Sequence, residues 1–178
     1  MPIYSFNRMN PEIDPTVFIA PSATIIGDTI IGENSSVWFN CVIRADGDRI
    51  RIGPETNIQD MSVLHSDPGS PICIGRQVSI AHRCIIHGCR IEDQCVIGMG
   101  AVIMNGAVIG KNSIVAAGSV VTENTVIPPS SLVTGIPGKV KRSVNEDEIR
   151  KISTIANAYT THAGMYKRPD IVSELTAS

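Results

Sequence analysis

An all-β solenoid, a parallel β-helix followed by one C-terminal α-helix, is the fold class this sequence predicts. Three observations carry it. First, stepping by six from Ile91 lands on Ile97, Ile103, Ile109, Val115, Val121, Ile127 and Val133, all aliphatic. Second, the residue two before each of these landings is small: Cys95, Ala101, Ala107, Ser113, Ser119, Thr125 and Ser131. Third, the same beat runs upstream through Ile19, Ile25, Ile31, Val37 and Ile43, then Ile52, Ile58 and Leu64, then Ile74, Ile80 and Ile86. A fixed short period means stacked repeats, and a hexapeptide period means short strands stacked turn upon turn.

Taken in order, residues 1–14 read as an irregular lead-in, 15–135 as the β-helix, and 144–166 as a helix. Asn145 and Glu148 form a capping-box pattern that opens this helix. Ile149, Ile152, Ala156, Tyr159 and Ala163 then share one face. That face needs cover, from the flank of the β-helix or from a neighbouring subunit. The tail after Lys167 reads as loose.

Composition narrows the function classes. A formal net charge of −2 gives no basic surface for nucleic acid. The start, MPIYSFNRMN, lacks a charged leader followed by an apolar core, and no run approaches the roughly 18 apolar residues of a membrane span. The expectation is a soluble, cytoplasmic protein. Of the five cysteines, Cys41, Cys84, Cys89 and Cys95 fall at the small inward position, which suits reduced core thiols rather than a disulfide framework.

Three hexapeptides make one triangular turn, so every third landing stacks. One column contains Ile25, Ile43, Leu64, Ile86, Ile103 and Val121; a second contains Ile31, Ile52, Ile74, Ile91, Ile109 and Ile127. The third contains Ile19, Val37, Ile58, Ile80, Ile97, Val115 and Val133. Side chains alternate along a strand, so the residue after each landing points outward. In the first column these outward residues include Arg44, His65 and His87; in the third they include Trp38 and Gln59, with Asp60 and His82 one residue further on. The beat breaks between Ile43 and Ile52, between Leu64 and Ile74, and between Ile86 and Ile91, always after the first column. Irregularity at one corner of a repeat protein marks its working face.

Three of the four histidines, His65, His82 and His87, fall in adjacent turns at that face. Three imidazoles with one open position are the donor set of a catalytic zinc. His65 and His87 stack, whereas His82 projects around a corner. A neighbouring subunit presenting its third column against this first column would complete the triad, and a closed threefold ring repeats that contact, so a metal implies a homotrimer. Trp38 is expected to be buried at the subunit interface, and His162 to be merely solvated.

The string Cys41-Val42-Ile43-Arg44-Ala45-Asp46, followed by Ile52-Gly53, Asn57-Ile58-Gln59-Asp60, Val63-Leu64-His65 and His82-x4-His87, resembles the γ-class carbonic anhydrases, which are left-handed β-helices of hexapeptide repeats. The resemblance implies that a metal hydroxide attacks carbon dioxide to give bicarbonate. It implies Zn2+ as the ion, with Fe2+, Co2+ or Ni2+ as alternatives, bound by His65 and His87 of one subunit and His82 of the next. It further implies an Arg44–Asp46 ion pair bridging subunits, and Gln59 orienting the hydroxide with Asn57 and Asp60 in support. Tyr159, with Asn157 as a further candidate, would approach from the helix. Gly47 replaces the glutamate that follows Arg-x-Asp in the family pattern, and the loop bearing a proton-shuttle glutamate is reduced to Ser66–Pro71.

Other classes remain open at this point. Gly135–Arg142 (GIPGKVKR) resembles the GxPAKxxR ending of CoA-dependent acyltransferases on the same fold, although those use a single histidine as general base. A metal-dependent thioesterase and a non-catalytic metal-binding scaffold are the remaining alternatives. A metal assay separates the acyltransferase from the rest, and a hydration assay separates enzyme from scaffold.

Overall fold

The structure, a computed structural model, describes residues 2–173. The landings stack in three columns in the expected order. In the first, Ile25 pairs with Ile43, Ile43 with Leu64, Leu64 with Ile86, Ile86 with Ile103, and Ile103 with Val121. In the second, Ile31 pairs with Ile52, then Ile74, Ile91, Ile109 and Ile127 follow. The third runs from Ile19 through Val37, Ile58, Ile80, Ile97 and Val115 to Val133. All of these pairings are parallel, so the chain is a parallel β-helix. Strands Thr24–Ile31 and Val42–Ile52 run through the corner between the first two columns and fuse them into one 12-stranded sheet; the third column is a separate 8-stranded sheet.

Inside the prism the landings form a continuous column of aliphatic side chains, with Ile43, Ile58, Leu64, Ile80, Ile86, Ile97 and Ile103 fully buried. Each such side chain contributes about 1.5–3 kcal/mol by leaving water. The small inward residues do a second job, because their hydroxyl or thiol reaches a corner carbonyl of the next turn. Ser62 Oγ donates to Ala81 O at 3.0 Å, Thr56 Oγ1 to Gly75 O at 2.8 Å, and Ser113 Oγ to Pro128 O at 3.2 Å. Cysteine takes the same place: Cys41 Sγ donates to Gln59 O at 3.0 Å and Cys84 Sγ to Gly98 O at 3.2 Å. Burial pushes the Cys41 and Cys84 thiols up to about 11 and those of Cys89 and Cys95 to about 12. These are inert core thiols, as their position in the beat predicts.

A regular corner places the third residue after the landing in the left-handed region, as at Asn34, Asn40, Asn112, Asn124 and Gly118. Asn and Gly tolerate this conformation best. At the corner after the first column the N-terminal turns depart from the rule, in the same places where the beat breaks.

The lead-in is more regular than its composition suggests. Ile3–Tyr4 pairs beside Ile25–Ile26, and Glu12–Ile13 pairs beside Ile30–Ile31, so both cover the first full turn. At the other end, Lys139–Ser143 turns back antiparallel on Ser131–Thr134. The GIPGKVKR segment thereby closes the last turn of the third column.

The helix spans Glu146–Tyr166. Its capping box is formed, with Glu148 N donating to Asn145 Oδ1 at 2.9 Å and Asn145 N donating to Glu148 Oε2 at 3.0 Å. Ile152, Ala156 and Ala163 are its buried face, lying on the third-column strands of its own chain. Trp38 is 5% exposed, packed edge-on against Tyr159 and Tyr166 and tilted on Phe18. The expectation of a subunit-interface Trp38 is therefore corrected: an outward aromatic on this column is the seat of the chain's own helix. The segment after Lys167 continues through a turn to Ser173, and the rest of the expected loose tail lies outside the described residues. No helix among the described residues is long and apolar enough to cross a membrane.

Candidate metal centre

Two clusters of polar side chains stand on the outside of the prism, on different sheets. The first lies on the first column. Arg44, His65 and His87 occupy successive rungs in register, and adjacent rungs lie about 4.8 Å apart. His65 Nδ1 is 2.9 Å from His87 Nε2. His65 Nε2 faces Asp46 Oδ1 at 3.1 Å, and Asp46 also accepts from Arg44 Nη1. The Arg44–Asp46 pair expected between subunits thus closes within one chain, because residues two apart on a strand share a face. Burial works to raise the Asp46 carboxyl, but hydrogen bonds from Arg44 and His65 outweigh it and hold the carboxyl below its ordinary value. On the far side, His87 Nδ1 meets Asn105 Oδ1, and Asn105 Nδ2 donates to Asp67 Oδ2 at 3.2 Å.

The second cluster lies on the third column. Gln59 Nε2 donates to Asn57 Oδ1 at 2.9 Å, and Asn57 Nδ2 donates to Ser79 Oγ at 2.9 Å. Both amides are buried, and the chain of donors leaves Gln59 Oε1 as the open acceptor. His82 Nδ1 lies 2.9 Å from Asp60 Oδ2. Asp60 also lines a cleft of about 350 Å³ with Trp38, Phe39, Tyr159, His162 and Tyr166. Burial, and then the negative charge of Asp60, push the Tyr159 hydroxyl up from its ordinary value. Asn157 is exposed on the helix. His162 is exposed as expected, edge-on to Tyr159. A wider cleft of about 890 Å³ near Phe18 and Lys167 is lined by no histidine.

The chain thus brings His65 and His87 together and keeps His82 apart on the other sheet. Among the described residues of one chain, the third group that can share an ion with His65 and His87 is Asp67, its ligand atom within 4.8 Å of theirs. The donor chemistry fits a metal. Each histidine has one ring nitrogen against an oxygen acceptor, Asp46 for His65, Asn105 for His87 and Asp60 for His82. A neutral ring whose proton lies on that nitrogen presents a lone pair on the other, which is the arrangement outer-shell oxygens impose on metal-binding imidazoles. With each proton on its oxygen-facing nitrogen, His65 Nδ1 and His87 Nε2 would turn lone pairs on each other across 2.9 Å. They repel unless a cation or a proton lies between them. Tetrahedral bonds of about 2.0–2.1 Å put ligand nitrogens about 3.3 Å apart, close to this spacing.

The two departures from the family pattern prove to be one structural event. A Cβ at Gly47 would lie 2.2 Å from Ser66 O and 3.0 Å from Asp67 Cα. The short Ser66–Pro71 loop therefore rests where a side chain at 47 would be. Ser66 is fully buried and bonds the Asp48 backbone, and an Asp67–Ser70 bridge closes the loop. Sequence reasoning missed Asn105 and Ser79. The signal for Asn105 was the residue lost from the beat after His87, which draws the next corner against that histidine.

Comparisons with known proteins place the chain in two stages. The model described as Bacterial transferase hexapeptide (six repeats) matches residues 10–45 and 88–123, and Hexapeptide repeat of succinyl-transferase matches 71–104, so this is a hexapeptide-repeat protein. A Methanocaldococcus jannaschii protein named Probable carbonic anhydrase is 54% identical over 83% of this chain and 92% of its own length. Gamma carbonic anhydrase 2, mitochondrial, of Arabidopsis thaliana is 42% identical over 88% of this chain, which spans 59% of that protein. A solved hexapeptide transferase family protein from Anaplasma phagocytophilum superposes with a TM-score of 0.90 at 37% identity, covering 93% of this chain and 98% of that one. The chain belongs to the γ-class carbonic anhydrase family of hexapeptide-repeat proteins.

Proposed function

We propose that the protein is a metal-dependent carbonic anhydrase that hydrates carbon dioxide to bicarbonate. The observation that carries this reading is the approach of His65 Nδ1 to within 2.9 Å of His87 Nε2, with oxygen acceptors at both far nitrogens. His65 and His87 would hold the ion with His82 of a second copy, in a homotrimer with three equivalent sites. The separation of the two polar clusters on different sheets supports a site completed by another subunit. Zinc suits three imidazoles with an open position. Five thiols with no disulfide suit a reducing cytoplasm.

His65, His87 and His82 would hold a divalent cation, which would acidify water to a pKa of about 7 and so supply the nucleophile for carbon dioxide at neutral pH. The chain's own residues do the rest. Gln59, its amide nitrogen tied to Asn57, offers Oε1 to accept the hydroxide proton and aim its lone pair. Asp46, gripped by Arg44, fixes the plane of His65. Asp60 fixes His82 and faces Tyr159 from the helix side. Proton export is the weak step. Position 47 has no side chain, and Asp67 is the one carboxylate of the short loop, tied to Asn105.

The acyltransferase alternative is the less supported of the two; in this chain Lys139–Ser143 is a capping strand and Arg142 is engaged with Glu148. Metal analysis of protein purified without chelator, light scattering and stopped-flow hydration test the proposal together. One ion per subunit, a trimer, and turnover that rises along an imidazole buffer series are expected. A metal-loaded monomer sinks the shared site; a loaded trimer with no turnover in any buffer sinks carbon dioxide as substrate.

A further inference from the structure

Asn105 enters the catalytic reading above only as the acceptor behind His87, yet it touches both halves of the first-column cluster. Its Nδ2 donates to Asp67 Oδ2 at 3.2 Å and its Oδ1 faces His87 Nδ1. A carboxylate only accepts hydrogen bonds, so Asp67 settles which end of the amide points where. The amide oxygen is left against His87, where it can only accept. The His87 proton is therefore held on Nδ1 and the lone pair on Nε2, the nitrogen 2.9 Å from His65.

The surroundings are built for this contact. A Cβ at residue 88 would lie 2.5 Å from Asn105 Oδ1 and 2.9 Å from Ser70 Cβ, so the glycine after His87 is the space the amide occupies. The missing residue between Ile86 and Ile91 draws the corner tight at that point. Gly106 N donates to Gly88 O at 2.7 Å, and Asn124 N donates to Asn105 O at 2.9 Å, which anchors the Asn105 backbone from both sides.

We infer that Asn105 is a positioning residue: it selects the Nδ1–H tautomer of His87 and ties the Ser66–Pro71 loop to the same imidazole through Asp67. Its effect on metal uptake rests on the proposed metal reading; its effect on the tautomer does not. An outer-shell partner of this type changes metal affinity by about 10–100-fold when removed.

The test uses the full chain labelled with 15N. Long-range 1H–15N spectra of the metal-free protein report the His87 tautomer directly, and competition with a chromophoric chelator gives the cobalt(II) affinity. The natural protein should show Nδ1–H at His87. Asn105→Leu, which keeps the bulk and removes both polar ends, should lose that preference and bind cobalt about 10–100-fold more weakly. Asn105→Asp keeps an acceptor for His87 and should restore the tautomer and most of the affinity, which a merely space-filling role would not distinguish from Leu. Nε2–H in the natural protein overturns the inference, and that measurement stands even where Asn105→Leu fails to fold. A folded Asn105→Leu with unchanged tautomer and affinity overturns it too. Nδ1–H in a natural protein that takes up no cobalt supports the assignment and sinks the metal reading instead.

Discussion

The first column can be compared with itself along its length. In its C-terminal turns, Ile103 and Val121 are followed by ordinary corners, with Gly106 and Asn124 in the left-handed region. In its middle turns, Ile43, Leu64 and Ile86 are followed by an extended strand, a six-residue loop and a shortened turn. The inward side chains do not register the change: Ile43, Leu64, Ile86, Ile103 and Val121 are all fully buried and paired in register. The comparison teaches that stacking fixes the position of the outward side chains while the corners are free to vary. Arg44, His65 and His87 take their spacing from the regular ladder. Asp46 and Asp67 lie in the irregular corners, and Asn105, on the ordinary corner after Ile103, reaches His87 across the shortened turn.

Four substitutions break or sharpen that comparison. The largest effect is expected for His87→Ala, on the irregular face. It should weaken metal binding by more than the roughly 10–100-fold of an outer-shell loss and abolish hydration, with little change in the thermal midpoint of the metal-free protein. Equilibrium dialysis with zinc checks it; near-natural affinity would mean that His87 is no ligand.

Ile103→Ala, on the same column but inward, should do the reverse. Deleting a fully buried isoleucine costs about 2–5 kcal/mol, read as a lower urea midpoint, while the fraction that remains folded keeps its metal. Loss of metal without loss of stability would contradict the separation of core from corner.

Gly47→Glu restores the acid of the family pattern at a place where backbone atoms of the loop leave no room. The loop must move, at a cost of about 1–3 kcal/mol. Turnover in dilute buffer should not rise. A gain in buffer-independent turnover would show that the loop yields freely and that a shuttle can be added by one residue.

The smallest effect is expected away from the site, where the helix is tied to the last strand. The Arg142 ion pair and the Asn145 backbone N–H hold the Glu148 carboxyl down at about 2. A depressed carboxylate stabilises the fold above its ordinary value of 4.5, and that contribution is lost as pH falls through the folded value. Arg142→Ala should therefore lower the urea midpoint slightly at pH 6 and leave it nearly unchanged at pH 2. A constant difference between natural and variant protein across that range would mean that the pair is not what sets this acid limb.

The sequence by itself determined the β-helix, the membership of all three columns and the outward stacking of His65 on His87. Each follows from a period: six residues bring an inward aliphatic back to the core, three such steps close a turn, and a parallel ladder then fixes every outward neighbour. The capping box made the helix legible for the same reason, since its signal is local. Only the tertiary structure decided what the corners do. Trp38 lies under the helix of its own chain because residues more than 100 positions away fold back onto the third column. Arg44 pairs with Asp46 within one strand because the chain runs on, extended, through the broken corner. The vacancy at Gly47 belongs to the Ser66 backbone, and Asn105 reaches His87 because one residue is missing between Ile86 and Ile91. The Trp38 and Asn105 contacts and the filling at Gly47 join parts of the chain that no period relates, and the Arg44–Asp46 pair needs a strand that runs on through a corner.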